Sequence, residues 1–127
     1  MCIRDRVIAS DGNSIPTMVF DEVDSGIGGG VAEMLGRRLN EVSENRQVLC
    51  VTHLPQVASL ADHHYRINKS TNGQSTSTSI NLLDNSERIE ELARMLGGVA
   101  ITKKTRAHAA EMLKLGSRCN GHKQQTA

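Results

Sequence analysis

Short apolar runs and helical stripes organise this chain. After Pro16, residues 17–20 (Thr17, Met18, Val19, Phe20) form a continuous apolar run, not an alternating one. That is the pattern of a strand covered on both faces, as in a parallel sheet. The run stops at Asp21, Glu22 and Asp24, and a glycine cluster follows at Gly26, Gly28, Gly29 and Gly30. Val31, Met34, Leu35, Leu39 and Val42 then recur at spacings that make one apolar helical stripe, with Glu33, Arg37, Arg38 and Glu41 mostly off it. Asn45 supplies a stop. Gln47–Val51 repeats the buried-strand pattern and ends at Thr52 and His53. A strand–helix–strand unit of this size predicts a βαβ crossover with parallel strands.

Beyond it, Pro55 near a first turn predicts a short helix over residues 55–60. Residues 64–69 and 76–82 read as two strands around Asn72 and Gly73, a common hairpin-turn pair. The Ser/Thr-rich stretch 75–79 reads as a solvated edge strand. Asp84, Asn85 and Ser86 offer acceptor side chains for a helix N-cap. Ile89, Leu92, Ala93 and Leu96 make the buried stripe of that helix, and Gly97 with Gly98 ends it. A last helix is predicted over residues 102–115, and the tail after Gly116 reads as disordered. Residues 1–14 are mixed and end in a turn-rich loop.

Composition narrows the classes. The chain has 127 residues, enough for one small domain. Fifteen Lys and Arg against 14 Asp and Glu leave a net charge of +1, with 23% charged and 38% hydrophobic residues. Those values disfavour a strongly basic nucleic-acid module, an acidic disordered tail and a collagen-like repeat. Phe20 and Tyr65 are the only aromatic residues. An aliphatic core in so short a chain buries enough area only with difficulty, so the chain reads as part of a folding unit. No apolar run is long enough to span a bilayer, and the start lacks the apolar stretch of a secretory signal. Cys2, Cys50 and Cys119 are far apart, with no CxxC pair. This disfavours a disulfide framework or a zinc site and fits a reducing cytoplasm. Cys50 reads as a small buried hydrophobe.

Parallel strands bring their carboxyl ends to one sheet edge, where ligands bind in open α/β sheets. That edge is predicted to carry Asp21, Glu22 and Asp24 beside Thr52 and His53. Acidic side chains this close repel one another, and a divalent cation relieves the repulsion. An apolar strand ending in Asp-Glu has the form of a Walker B element: the Asp helps hold Mg²⁺, and the Glu polarises the water that attacks a γ-phosphate. His53, on the neighbouring strand end, is within reach of the same phosphate. Plainer readings stand beside these. Acidic residues often end strands, and the glycines fit a flexible connector as well as an anion-binding helix start. They are not a Walker A loop, because no Lys-Ser/Thr follows. His63 and His64 are adjacent, point to opposite faces of a strand, and do not suit one metal. Lys103, Lys104, Arg106, Lys114 and Arg118 read as a solvated helix face before they read as a DNA patch.

The combination is more specific than its parts. Residues 16–24 (Pro-Thr-Met-Val-Phe-Asp-Glu-Val-Asp), the Ser-Gly-Ile-Gly-Gly stretch 25–29, Val-Thr-His-Leu-Pro-Gln-Val over 51–57 and Ala-Asp-His over 61–63 resemble the C-terminal ATPase lobe of the RecN family. These are bacterial recombination and DNA-repair proteins related to the SMC proteins, and the resemblance covers residues 15–114. It implies an α/β fold: a partial P-loop NTPase lobe of the ABC/SMC head type, with parallel sheet strands, flanking helices and a C-terminal hairpin. It implies that Asp21 is the Mg²⁺-associated Walker B carboxylate, Glu22 the catalytic base, and His53 the switch histidine that senses the γ-phosphate. Asp24, Ser25, Gly26, Gly28 and Gly29 match the D-loop that crosses a dimer interface. ATP and Mg²⁺ are the implied cofactors. The implied partners are DNA, a second copy held through ATP-sandwiched heads, and an N-terminal lobe; the implied location is the bacterial cytoplasm, at the nucleoid.

The departures matter as much. A complete head needs a GxxxxGK[ST] loop and an LSGG-like signature, which in the family precede this part, with a coiled coil between; neither occurs here. The chain therefore reads as a truncated reading frame, divided into a non-matching segment 1–14, a head portion 15–115 and a tail 116–127. ATP turnover is expected of a full-length protein and not of the isolated chain. Two other classes remain open at this point. One is a stand-alone metal-dependent hydrolase using Asp21, Glu22, Asp24 and His53. The other is a non-catalytic interaction module that docks through the helix of Ile89 to Leu96.

Overall fold

A computed structural model describes residues 16–21, 26 and 28–120, and only the backbone of 119 and 120. Glu22, Asp24, Ser25, the segment 1–14 and residues 121–127 lie outside the described residues. The elements run β1 (Thr17–Asp21), α1 (Gly29–Val42), β2 (Gln47–Val51), α2 (Pro55–Ala58), β3 (Tyr65–Thr71), β4 (Thr76–Leu82), α3 (Asn85–Gly97) and α4 (Lys103–Asn120). β1 and β2 pair in parallel, and β3 and β4 form a separate antiparallel hairpin. The architecture is mixed α/β with two small sheets.

The parallel pair is covered on one face. Phe20 is fully buried and packs with Ala32, Leu35, Leu39 and Val57, while Met18, Val48 and Cys50 lie partly buried against that cluster. The opposite face carries Val19, Leu49 and Val51, which are 60%, 47% and 52% exposed. The expectation of strands buried on both faces is thus met on one face among the described residues. The α1 stripe also differs from expectation. Its buried face is Ala32, Leu35, Gly36 and Leu39, while Val31 and Met34 are exposed. Small side chains decide this, because the helix turns its Ala and Gly inward to approach α2 closely. A Cβ on Gly36 would stand 2.6 Å from Leu60 Cδ1 and 3.4 Å from the Gln56 carbonyl oxygen. The charged residues fall outside as expected, with Arg37 bonded to Glu33 at 2.8 Å and Arg38 to Glu41 at 2.9 Å.

A second cluster joins Ala58, Leu92, Ala93, Ala109 and Leu113, flanked by Ile89, Met95, Leu96 and Ile101. The predicted α3 stripe is therefore spent inside the fold, which overturns the reading of that helix as a docking surface. α3 begins with a full capping box: Asp84 Oδ1 accepts from the Glu87 amide at 2.8 Å, and Glu87 Oε2 accepts from the Asp84 amide at 3.2 Å. Gly98 closes it at φ +64, a left-handed value that glycine adopts without steric cost. α4 runs five residues past the predicted stop at 115. Gly116 does not terminate it, because the position meets the Ser59 carbonyl, where only glycine fits against the backbone. The tail predicted from 116 is thus helical through Asn120. The hairpin turns at Gly73, with φ +74, and both its strands are exposed on both faces.

Candidate functional site

Register places the site. Asp21 pairs with Val51 at the carboxyl ends of β1 and β2, so Asp21 and the Thr52–His53 stretch leave the sheet at one edge. The ladder is fixed at its other end by the Gln47 amide donating to the Pro16 carbonyl at 2.9 Å. Asp21 and His53 are both exposed. The loop after β2 is shaped locally: the Leu54 amide donates to Thr52 Oγ1 at 3.0 Å, a turn that encloses His53. Pro55 then starts α2 with a preset φ. Across the edge, Gly26 sits at φ +76 and Gly28 caps α1 with no side-chain bond. Asp21 and His53 thus lie at one edge of the parallel pair, and Gly29 lies near Gln56 of α2; Glu22, Asp24 and Ser25 lie outside the described residues.

The short α2 is held from three sides. α1 reaches it at Gly36 and α4 at Gly116, each through a position where a Cβ would collide. From α3 comes Arg88, a buried guanidinium whose Nη2 donates to the carbonyls of Ala61 at 2.8 Å and Ala58 at 3.4 Å. Those carbonyls lie where the helical turn ends, and the Ala58 carbonyl also accepts from the Ala61 amide at 3.3 Å. Val57 belongs to the first apolar cluster and Ala58 to the second, so α2 bridges both. A segment pinned this way gives the histidine loop a rigid base. Sequence reading missed Arg88, Gly36 and Gly116. An Arg on a helix looks solvated, and a close backbone approach leaves no local pattern.

A charged cluster lies behind this base. The Glu91 side chain is only 7% exposed and bonds Arg94, with Nε to Oε2 at 3.0 Å; Arg66 of β3 approaches at 3.5 Å. The hydrogen bond from Arg94 holds the Glu91 carboxyl below the usual carboxylate range; burial opposes this, and the charges of Arg94, Arg66 and His64 assist. Burial lowers the His64 pKa, the Arg88 charge lowers it further, and Glu91 works the other way. His63 is exposed and His64 half-buried, in keeping with opposite facing. Among the described residues no group of His, Cys, Asp or Glu is arranged to hold a metal ion. Among the described residues Asp21 supplies the carboxylate at the strand end, a hard oxygen donor of the kind by which Mg²⁺ would be held. Cys50 is half-buried against the first apolar cluster. Lys103, Lys104, Arg106, Lys114 and Arg118 are all exposed on α4, with Arg106 paired to Glu90 at 2.8 Å. No helix among the described residues is long and apolar enough to cross a membrane.

The fold has a solved counterpart. A chain from a structural study of ATP-driven dimerization and DNA-stimulated activation of SMC ATPases superposes with a TM-score of 0.57 at 15% identity, covering 72% of this chain and 55% of that one. The described residues therefore share their mixed α/β fold with about half of that chain. No family model matches the chain. Curated sequences give the particular relationship: this chain is homologous to the bacterial DNA repair protein RecN over most of its length. It is 53% identical to RecN of Xylella fastidiosa (strain 9a5c) over 102 residues, which are 80% of this chain and 18% of that protein. The figures are 48% over 110 residues for Haemophilus influenzae RecN and 42% over 109 for Bacillus subtilis RecN, covering 87% and 86% of this chain and 20% and 19% of theirs. The chain thus spans about a fifth of the length of the relatives it matches.

Proposed function

We propose that this chain is the Walker B, D-loop and switch-histidine portion of the ATP-hydrolysing head of a RecN-type DNA repair protein. The observation that carries the reading is the register of β1 on β2. It brings the acid-ended strand and the His53 loop to one sheet edge. RecN homology over most of the chain adds the family's chemistry to that edge.

In this reading Asp21 would hold Mg²⁺, directly or through water, and the ion would supply positive charge to the phosphates. Glu22 takes a proton from the water that attacks the γ-phosphate. His53 donates a hydrogen bond to the same phosphate and reports its presence to α2. Asp24, Ser25, Gly26, Gly28 and Gly29 lie along a dimer interface that closes around ATP. The rest of the head covers the bare face of the parallel pair, where Val19, Leu49 and Val51 lie open. Parallel sheets are otherwise buried on both sides. DNA is the substrate held by the whole assembly, at the bacterial nucleoid, in the repair of double-strand breaks. Within the chain, the proposed boundaries are a head portion over 15–115 with 1–14 outside it.

The test uses ATP turnover. In a full-length RecN-type protein carrying this segment, Glu22→Gln lowers kcat at least ~100-fold. The 127-residue chain by itself is expected to give no measurable turnover, because its sequence holds no GxxxxGK[ST] loop. Turnover by the isolated chain that Glu22→Gln removes, or full-length turnover indifferent to Glu22→Gln, sinks the reading.

A further inference from the structure

Gln56 brings the His53 segment against the glycine-rich segment. It lies on α2, three residues after His53. A Cβ on Gly29 would stand 3.7 Å from its Nε2, so the carboxamide lies against the first residue of α1. That helix starts with Gly28 as its cap, has no side-chain cap bond and no acidic residue in its first turn. Helix starts leave several N–H groups without intrahelical acceptors. On the other side of the contact, Gln56 Oε1 is buried and has no hydrogen-bond partner among the described residues. A carboxamide whose buried acceptor lacks a donor therefore lies beside the first residue of a helix whose first N–H groups have no acceptor within the helix. The two ends of a carboxamide are nearly isosteric, and a half-turn about its last torsion exchanges them.

We propose that Gln56 is a positioning residue that caps α1 from the neighbouring helix. Turned in this way, its carbonyl accepts from the N–H groups of Gly29 and Gly30. A cap within α1 would only hold that helix. A cap supplied by α2 ties the glycine-rich segment to the His53 loop, so that neither moves without the other. The backbone of Gln56 is already fixed, with its carbonyl facing Gly36 and its neighbour Val57 in the apolar core, so the reach of the side chain is set. The mechanical link stands on geometry alone; its consequence for ATP turnover rests on the function proposed above.

Two variants in a full-length RecN-type protein test it. Gln56→Met keeps the length and removes the carbonyl, and Gln56→Glu keeps an acceptor, now negative and favourable at a helix start. Hydrogen–deuterium exchange without nucleotide is followed in the peptide spanning residues 28–35, and ATP turnover is measured in parallel. Gln56→Met should speed first-turn exchange about fivefold, and Gln56→Glu should leave it near wild type. Gln56→Met should also lower kcat about tenfold with KM for ATP within about twofold, and Gln56→Glu should recover most of the loss. Unchanged exchange in Gln56→Met overturns the cap. Faster exchange with unchanged kcat overturns the coupling while the ATPase reading stands. If wild-type turnover proves indifferent to Glu22→Gln, the ATPase reading fails by itself, and the exchange rates still decide the cap.

Discussion

Gly116 shows how one residue fixes where a helix lies. It occupies the interior of α4, where alanine is ordinarily worth about 1 kcal/mol more than glycine. Here the sign reverses, because a Cβ would run into the Ser59 carbonyl, which is backbone and cannot swing aside. Gly116→Ala is expected to lose about 3 kcal/mol in urea unfolding; neutrality or a gain would mean that the helix does not lie against Ser59. Arg88 makes the complementary case. Its Nη2 satisfies the carbonyls of Ala58 and Ala61 from inside the fold. Arg88→Met keeps the bulk and removes the donors, and it should cost about 2 kcal/mol. Arg88→Lys should recover little of that, since a single ammonium does not reproduce the fork. Neither residue was legible in the sequence. Gly116 looks like a stop and Arg88 like a solvated helix charge, and only the neighbouring chain segment gives each its role.

At the scale of elements, the sequence was most informative where the signal is local. The β1 and β2 runs, the Asn72–Gly73 turn and the Asp84 cap all depend on adjacent residues, and each lies where the pattern put it. Asp84→Ala should remove about 1 kcal/mol by opening the capping box, measured by thermal melting. The face each element buries was less legible. α1 turns Ala32 and Gly36 inward and leaves Met34 out, since close approach to α2 outweighs side-chain hydrophobicity there. The base of the hairpin carries the pH dependence. His64 lies between Arg88 and Glu91, and its pKa in the fold is below 6.5, so the unfolded chain takes up that proton first. Its contribution is complete above about 6.5 and is lost as pH falls through the lower folded value. Glu91 is also depressed, so its contribution is present above the ordinary value of 4.5 and lost below it as pH falls through the folded value. Both act in one direction, with His64 first. The Tm should fall as pH drops from about 7 to about 5, and His64→Gln should flatten that window without altering the steeper loss at lower pH.

For the whole molecule, the unburied apolar surface is the informative quantity. Val19, Leu49 and Val51 on the parallel pair, with Tyr65, Ile67, Ile80 and Leu82 on one face of the hairpin, are large apolar side chains about half exposed or more. A two-stranded hairpin open on both faces has little stability of its own. The chain alone should therefore unfold at a low urea midpoint and bind a hydrophobic dye while still folded. Adding the remaining lobe of a RecN-type head should raise the midpoint and suppress dye binding. A sharp, high-midpoint transition of the isolated chain without dye binding would contradict that. Composition had already pointed this way, since Phe20 is the one aromatic ring the fold buries and Tyr65 stays exposed.

By itself, the sequence determined the order of elements, the turn and cap chemistry, and the motif that ties the chain to RecN. All of these follow from residues adjacent or at short helical spacing, where covalent geometry and local hydrogen bonds dominate. The shared sheet edge of the acid-ended strand and the His53 loop was expected from the sequence, but the tertiary structure alone decided the residue-by-residue register of β1 on β2 and that α2 is gripped by α1, α3 and α4. It also decided that Gln56 faces the start of α1. Those outcomes depend on strand register and on how closely two backbones approach, and both are set by partners far away in the chain.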